Sequence, residues 1–346
     1  MKSKNSRINS YTALSNALAC MSTLQLRNTI SLGKENHTGI GGTSVQIELE
    51  NTPIFVKKVP ITEYELEPEH FMSTANIFNL PMCYQYGIGS AGFNVWRELA
   101  SHIMTSNWVI TNQCPHFPIL YHWRIIPDSN NATDVSYWGS TEKYLEYWEN
   151  NENIKNRISA LKSATTSLVL FLEHVPRNLN QQIKELLTNE SEQYSINYLN
   201  KINKSFDEVF SFMKQHNFLH MDAHFHNVLA DDDGIYLSDF GLALSSMFDL
   251  SKAELDFIKD HQNYDRCSFS INLIHSIITS YVGKDNWETT IHEYLANKLK
   301  LNIPDKINTI LSRNAPIAGL MHGFYRAIQK DKSTKYPYHE LNRLLD

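Results

Sequence analysis

"FLHMDAHFHNVLADDDGIYLSDFGLAL", residues 218–244, is the stretch whose reading decides the fold. Its first five residues read as a short strand ending at an acid, Asp222, with Asn227 five positions further on. "VLA" and "IYLSD" read as two strands joined by the tight turn "DDDG" at 231–234, since Asp and Gly favour turns. The second strand delivers Asp239 directly before Phe240 and Gly241. Three side chains able to hold a metal or accept a proton, Asp222, Asn227 and Asp239, are therefore expected at one end of a small hairpin.

Such a set suits phosphoryl transfer, in which one acid orients the attacking hydroxyl while an Asn and a second Asp hold Mg²⁺ against nucleotide phosphates. Here the sequence resembles the protein-kinase-like superfamily. The H-x-D-x-x-x-x-N catalytic loop of that superfamily stands as His220 to Asn227, and its D-F-G as Asp239 to Gly241. The resemblance demands, in order, a glycine-rich hairpin, a lysine on the next strand, a glutamate on a following helix and a hinge strand ending in an acid. "GIGGTSVQIELENTPIFVKKV", "NVWREL" and "LVLFLEHVP" meet these demands in that order.

The roles implied by the resemblance are concrete. The loop with Gly39, Gly41 and Gly42 would cover the phosphates of ATP, and Lys57 would neutralise the α and β phosphates. Glu98 would pair with that lysine, and Asn227 and Asp239 would hold Mg²⁺. Asp222 would be the catalytic base, Leu172 the gatekeeper, and backbone groups near Glu173 and Val175 the adenine contacts. Alternation along a strand lets only one of Lys57 and Lys58 reach the site. Lys57 is taken here, with Lys58 as the alternative.

The match runs over roughly residues 33–280 and has departures. Ser44 stands where a third glycine is expected, Met221 replaces the arginine that often precedes the catalytic Asp, and no A-P-E follows Gly241. "YDRCSFSINLI" (264–274) resembles the helix that anchors the catalytic loop, with Asp265 in the anchoring position. His224 stands where serine/threonine protein kinases usually carry Lys and where aminoglycoside and choline kinases usually carry His. The resemblance thus implies a bilobal α+β fold and an ATP- and Mg²⁺-dependent transfer to a hydroxyl. A protein Ser or Thr is the leading acceptor. A small-molecule alcohol is the alternative, and a nucleotide-binding pseudokinase scaffold is the reading from another class.

The composition of the whole chain is consistent with a soluble globular protein, with 42% hydrophobic and 20% charged residues. Its formal charge of −6 gives no reason to expect nucleic acid as a partner. The four cysteines are widely spaced, the N-terminal stretch is too polar for a signal peptide, and no apolar run reaches membrane-spanning length. A cytoplasmic protein is expected. Residues 1–30 read as a helical extension, 31–172 as a β-rich lobe with an insert at about 129–165, and 173–346 as a helical lobe, with a cleft expected between the lobes. The insert, rich in Trp, Tyr and Asn, reads as a loop with a helix of its own. Within the first lobe, "TSVQIELE", a turn at "NTP" and "IFVKKV" form a hairpin with the glycine cluster just ahead of it. "NVWRELASHIMTS" reads as an amphipathic helix with one apolar stripe, Trp96, Leu99, Ile103 and Met104.

Two other features compete for attention. His220, His224 and His226 lack the glutamate of a helical zinc-protease motif, and His220 reads as a structural residue. "YQYGIGSAGF" (84–93) contains a literal G-x-G-x-x-G in Gly87, Gly89 and Gly92. It follows Lys57 instead of preceding it, and no acid stands about 20 residues on, so neither a kinase loop nor a dinucleotide fingerprint fits. Its expected task is to turn the chain sharply into the helix that carries Glu98.

Overall fold

The computed structural model describes residues 4–39, 42–128, 138–232, 234–283 and 287–345. The chain is a mixed α+β protein that divides into two compact units. One comprises Met1–His174 with Asp239–Leu255, the other Val175–Ser238 with Asp256–Asp346.

The first unit is built on a five-stranded antiparallel sheet, β1 (Lys34–Gly39), β2 (Gly42–Leu49), β3 (Thr52–Ile61), β4 (Leu120–Pro127) and β5 (Thr166–Glu173), in the order β1-β2-β3-β5-β4. The expected hairpin is β2–β3, but its turn is Glu50–Asn51 instead of "NTP". Leu49 pairs with Thr52, and both turn residues have positive φ, 50° and 57°, the two-residue geometry that matches strand twist. Thr52 and Pro53 already belong to the strand. The glycine cluster does not precede the first strand either. Polar "KENHTG" forms β1, and Gly39 pairs with Gly42 across the hairpin end, while Gly41 lies outside the described residues. No apolar alternation announces β1, because its hydrogen bonds to β2 hold it as an edge strand.

Two helices precede the sheet, α1 (Lys4–Cys20) and α2 (Thr23–Ser31), the latter started by a Ser22–Gln25 capping box. Leu14, Leu18 and Leu26 are buried, so this extension is part of the unit's core. After the one-turn helix α3 (Glu63–Leu66) the chain reaches α4 (Val95–Ile110), whose first turn is capped by Asn94 accepting from the Arg97 N–H. Trp96 and Leu99 pack with Val59, Ile61, Leu168, Leu170 and Leu172 of the sheet. The single-stripe expectation is too narrow: α4 also buries Arg97, Glu98, Ser101, His102, Thr105 and Ser106. Part of that polar content is absorbed by the helix itself, as Ser101 Oγ donates to Arg97 O and Thr105 Oγ1 to Ser101 O. The described residues of the insert hold two helices instead of one, α5 (Thr141–Tyr147) and α6 (Glu152–Lys162).

The second unit contains a small antiparallel sheet of β6 (Arg177–Asn178), β8 (Val228–Ala230) and β9 (Ile235–Leu237), β8 being central; β7 (Phe218–Leu219) is a two-residue strand. Around these lie α7 (Leu179–Asn189), α8 (Glu192–Gln215), α10 (Tyr264–Val282), α11 (Trp287–Leu295), α12 (Asp305–Lys330) and α13 (Tyr338–Leu345); the chain enters this series through α9 (Lys252–Asp260). On α8, Leu199, Ile202, Phe206, Val209 and Met213 form a buried face, and Asn217 (φ 47°) turns the chain toward β7. Among the described residues no helix is long and apolar enough to cross a membrane.

Candidate active site

In the first unit the site centres on Lys57. Strand alternation separates the two lysines: Ser44 and Leu170 flank Lys57, Thr43 and Val169 flank Lys58. Lys57 Nζ reaches Glu98 Oε1 at 2.6 Å and Asp239 Oδ1 at 2.9 Å. Lys58 Nζ binds Asp128 Oδ2 at 2.8 Å instead, so it is Lys57 that meets the two acids. Burial works against a charge on Lys57, yet Asp239 and Glu98 outweigh it and hold the ammonium above the usual lysine range. Burial pushes the Glu98 carboxyl up, against the pull of Lys57. Glu98 is almost wholly buried, while the Asp239 side chain is 42% exposed and so open to a ligand.

Asp239 sits in the left-handed region at φ 65°, a strained conformation for a residue with a Cβ. Its Oδ1 also accepts the Gly241 N–H at 3.4 Å, and a Cβ on Gly241 would lie 3.5 Å from Oδ1 and 3.6 Å from Glu98 Oε2. Phe240 is buried against His102 of α4 and Phe117.

Other expected residues of this unit are set in the sheet. Gly42 has φ 116°, and a Cβ there would lie 2.0 Å from Lys58 O, so the β2–β3 pairing by itself requires glycine. Leu172 is buried in the core with Leu99 and Leu170. The Glu173 N–H is already donated to Ile119 O at 2.8 Å. Its carboxylate is taken by Arg7 of α1, whose Nε and Nη2 lie 3.0 and 2.6 Å from Oε1 and Oε2, while Nη1 and Nη2 also donate to Pro115 O and Phe117 O.

The second unit holds the other set. Asn227 Nδ2 donates to Asp222 O and Oδ2, both at 3.1 Å, which fixes the carboxylate and directs the amide oxygen away from it. Asp265, at the start of α10, accepts the His220 N–H at 2.8 Å and the Met221 N–H at 2.9 Å. That pair of bonds holds Met221 at φ 64°, the turn that precedes Asp222. Burial raises the Asp265 carboxyl to about 6, with the His220 and Met221 N–H bonds pulling the other way. His220 Nδ1 accepts the Asp222 N–H, so Nε2 carries the proton and donates to Ser238 O at 3.0 Å. With both ring nitrogens committed to backbone, His220 is unsuited to a metal. His224 accepts the Asn227 N–H on Nδ1, and its Nε2 lies 3.9 Å from Asp222 Oδ2. Val175 is half-buried in this unit.

Sequence reading missed Arg7, Gln85, and two buried ion pairs that hold α4. Arg97 Nη2 meets Glu254 Oε1 at 2.5 Å, and Arg157 Nη1 meets Glu65 Oε2 at 2.9 Å. Glu65 Oε1 in turn accepts the Val95 N–H at the first turn of α4. Position alone hints at one of them, since Arg97 adjoins Glu98. No family model matches the chain, and comparison with curated proteins finds no match.

Proposed function

We propose that the chain is an ATP- and Mg²⁺-dependent phosphotransferase of bilobal, protein-kinase-like fold, acting on a hydroxyl. The observation that carries this reading is the buried Lys57 ammonium bridging Glu98 and Asp239. A lysine placed so between a fixed acid and a partly exposed one is suited to hold the anionic phosphates of a nucleotide. The second unit offers a second set. Asn227 orients the Asp222 carboxylate to take or direct the proton of an attacking hydroxyl, a role worth about 10²–10⁴-fold in rate. Asn227 and Asp239 offer the hard oxygen donors that Mg²⁺ prefers, and the ion would neutralise charge on the phosphates. Catalysis on this reading is positioning plus electrostatic stabilisation of an in-line transfer.

A protein Ser or Thr is the leading acceptor. His224 beside Asp222 favours a second reading, a small-molecule alcohol, because an imidazole there stands next to the carboxylate that meets the acceptor. The test is transfer from γ-labelled ATP, with Mg²⁺ and with EDTA, to the protein itself, to a panel of proteins and to aminoglycoside or choline-like alcohols. Label on protein supports the first acceptor class and label only on a small alcohol the second. Nucleotide binding with no transfer to any acceptor, unchanged by Asp222→Asn, would sink the enzyme reading in favour of a scaffold.

A further inference from the structure

The glycine-rich segment 84–92 and the insert helices are not used by the chemistry above, yet they touch both carriers of the Lys57 partners. Two glycines show how tightly the segment is held. Gly89 (φ 104°) faces the Trp138 ring, where a Cβ would lie 2.5 Å from a ring carbon, and Gly92 (φ 76°) faces Gly241 O, where it would lie 2.6 Å away. One glycine abuts the insert, the other the backbone just after Asp239.

On the insert side, Tyr144 OH donates to Gly89 O at 3.0 Å. Its hydrogen being used, it accepts from Tyr84 OH at 2.7 Å, and Tyr84 in turn accepts the Ala91 N–H at 3.0 Å. Tyr147 OH donates to Ile88 O at 3.0 Å. Burial raises the Tyr84 and Tyr144 phenols, so both stay neutral donors. Trp148 packs edge-on against Tyr84 with ring centroids 4.7 Å apart. A relay of two hydroxyls thus closes the segment onto the insert.

On the site side, Gln85 is buried and its Nε2 donates to Leu242 O at 2.5 Å. Gln85 thus holds the Leu242 carbonyl, and Gly92 packs closely on the Gly241 carbonyl before it. A second strut runs from α6 through Arg157 and Glu65 to the Val95 N–H, one turn ahead of Glu98. Glu98 and Asp239 come from distant parts of the chain, and only when both are in place is Lys57 bridged.

We propose that the insert is a built-in brace that, through segment 84–92, sets the backbone of Asp239–Leu242 and the start of α4, with Gln85 and Tyr144 as positioning residues. Its effect on turnover rests on the phosphotransferase reading; its effect on order does not.

The test is hydrogen–deuterium exchange of the full chain, wild type against Gln85→Met and Tyr144→Phe, near-isosteric changes that remove one donor each. Loss of one buried hydrogen bond should speed exchange in peptides covering 239–246 by about fivefold, with β5 (166–173) unchanged. Tyr144→Phe should do the same in 86–92. In the same variants kcat/KM for ATP should fall about fivefold, because fewer molecules hold the assembled site that grips the phosphates. Wild-type exchange in 239–246 in both variants, or an equal rise in β5, overturns the brace. If the wild type transfers no phosphate, the phosphotransferase reading fails and exchange alone decides the brace.

Discussion

Replacing Arg7 by Ala strips a buried carboxylate of its counter-ion. Arg7 and Glu173 are 9% and 5% exposed, and the guanidinium also serves the carbonyls of Pro115 and Phe117. Breaking a buried pair from one side costs about 3–5 kcal/mol, because the remaining charge is uncompensated. The two abandoned carbonyls push toward the upper end, at about 1 kcal/mol each if they fail to find water. Against a typical stability of about 5–15 kcal/mol, that is a large share. With an m-value of about 2 kcal/mol per molar urea, the midpoint should fall by about 2 M. The assay is urea unfolding followed by tryptophan fluorescence. Adding Glu173→Gln to Arg7→Ala removes the stranded charge and should recover at least about 1 kcal/mol. An Arg7→Ala midpoint within about 0.3 M of wild type would refute the reasoning, since it would mean that Glu173 finds other compensation at negligible cost. The helix α1 would then be dispensable to β5.

Three further outcomes are expected. Asp222→Asn and Asp239→Asn should each lower phosphoryl transfer by at least about 10²-fold with little change in unfolding midpoint, read by labelled-ATP assay beside urea unfolding. Asp265 has a folded-state pKa of about 6 against an ordinary 3.8, so its contribution to stability is fully present below about 3.8 and is lost as pH rises through about 6. The stability of wild type minus that of Asp265→Asn should accordingly drop by up to about 3 kcal/mol between pH 4 and 7, and parallel curves would contradict the burial argument. Gly42→Ala should destabilise the protein as well as weaken nucleotide binding, because its Cβ meets Lys58 O; unchanged thermal unfolding would count against that.

How much of this was legible varies with how local the signal is. Asp222, Asn227 and Asp239 stand within one stretch, and their types and spacing raised the phosphoryl-transfer expectation without any partner being known. The hairpin β2–β3 is legible from its two β-prone runs, but its turn is not, because Glu50–Asn51 lacks the glycine that usually marks two positive-φ residues. Strand β1 was invisible since "KENHTG" has no apolar face. The ion pairs Arg7–Glu173 and Arg97–Glu254 join residues 166 and 157 positions apart, and a single sequence carries no mark of which distant charges meet. Segment 84–92 reads in the sequence as a turn into α4, but nothing local marks its contacts with the insert and with Gly241–Leu242, which join residues far apart in the chain.

The left-handed backbone at Met221 and Asp239 narrows what those positions tolerate under mutation. A β-branched residue there would meet its own carbonyl, at a cost of about 1–2 kcal/mol, whereas Asn and Gly adopt the conformation readily. Drift away from Asp239 therefore has few exits, and the least disruptive one, Asn, keeps the shape while deleting the charge that Lys57 binds. On the phosphotransferase reading, a descendant of this chain that has lost transfer is expected to carry Asn or Gly at 239 with its backbone unchanged.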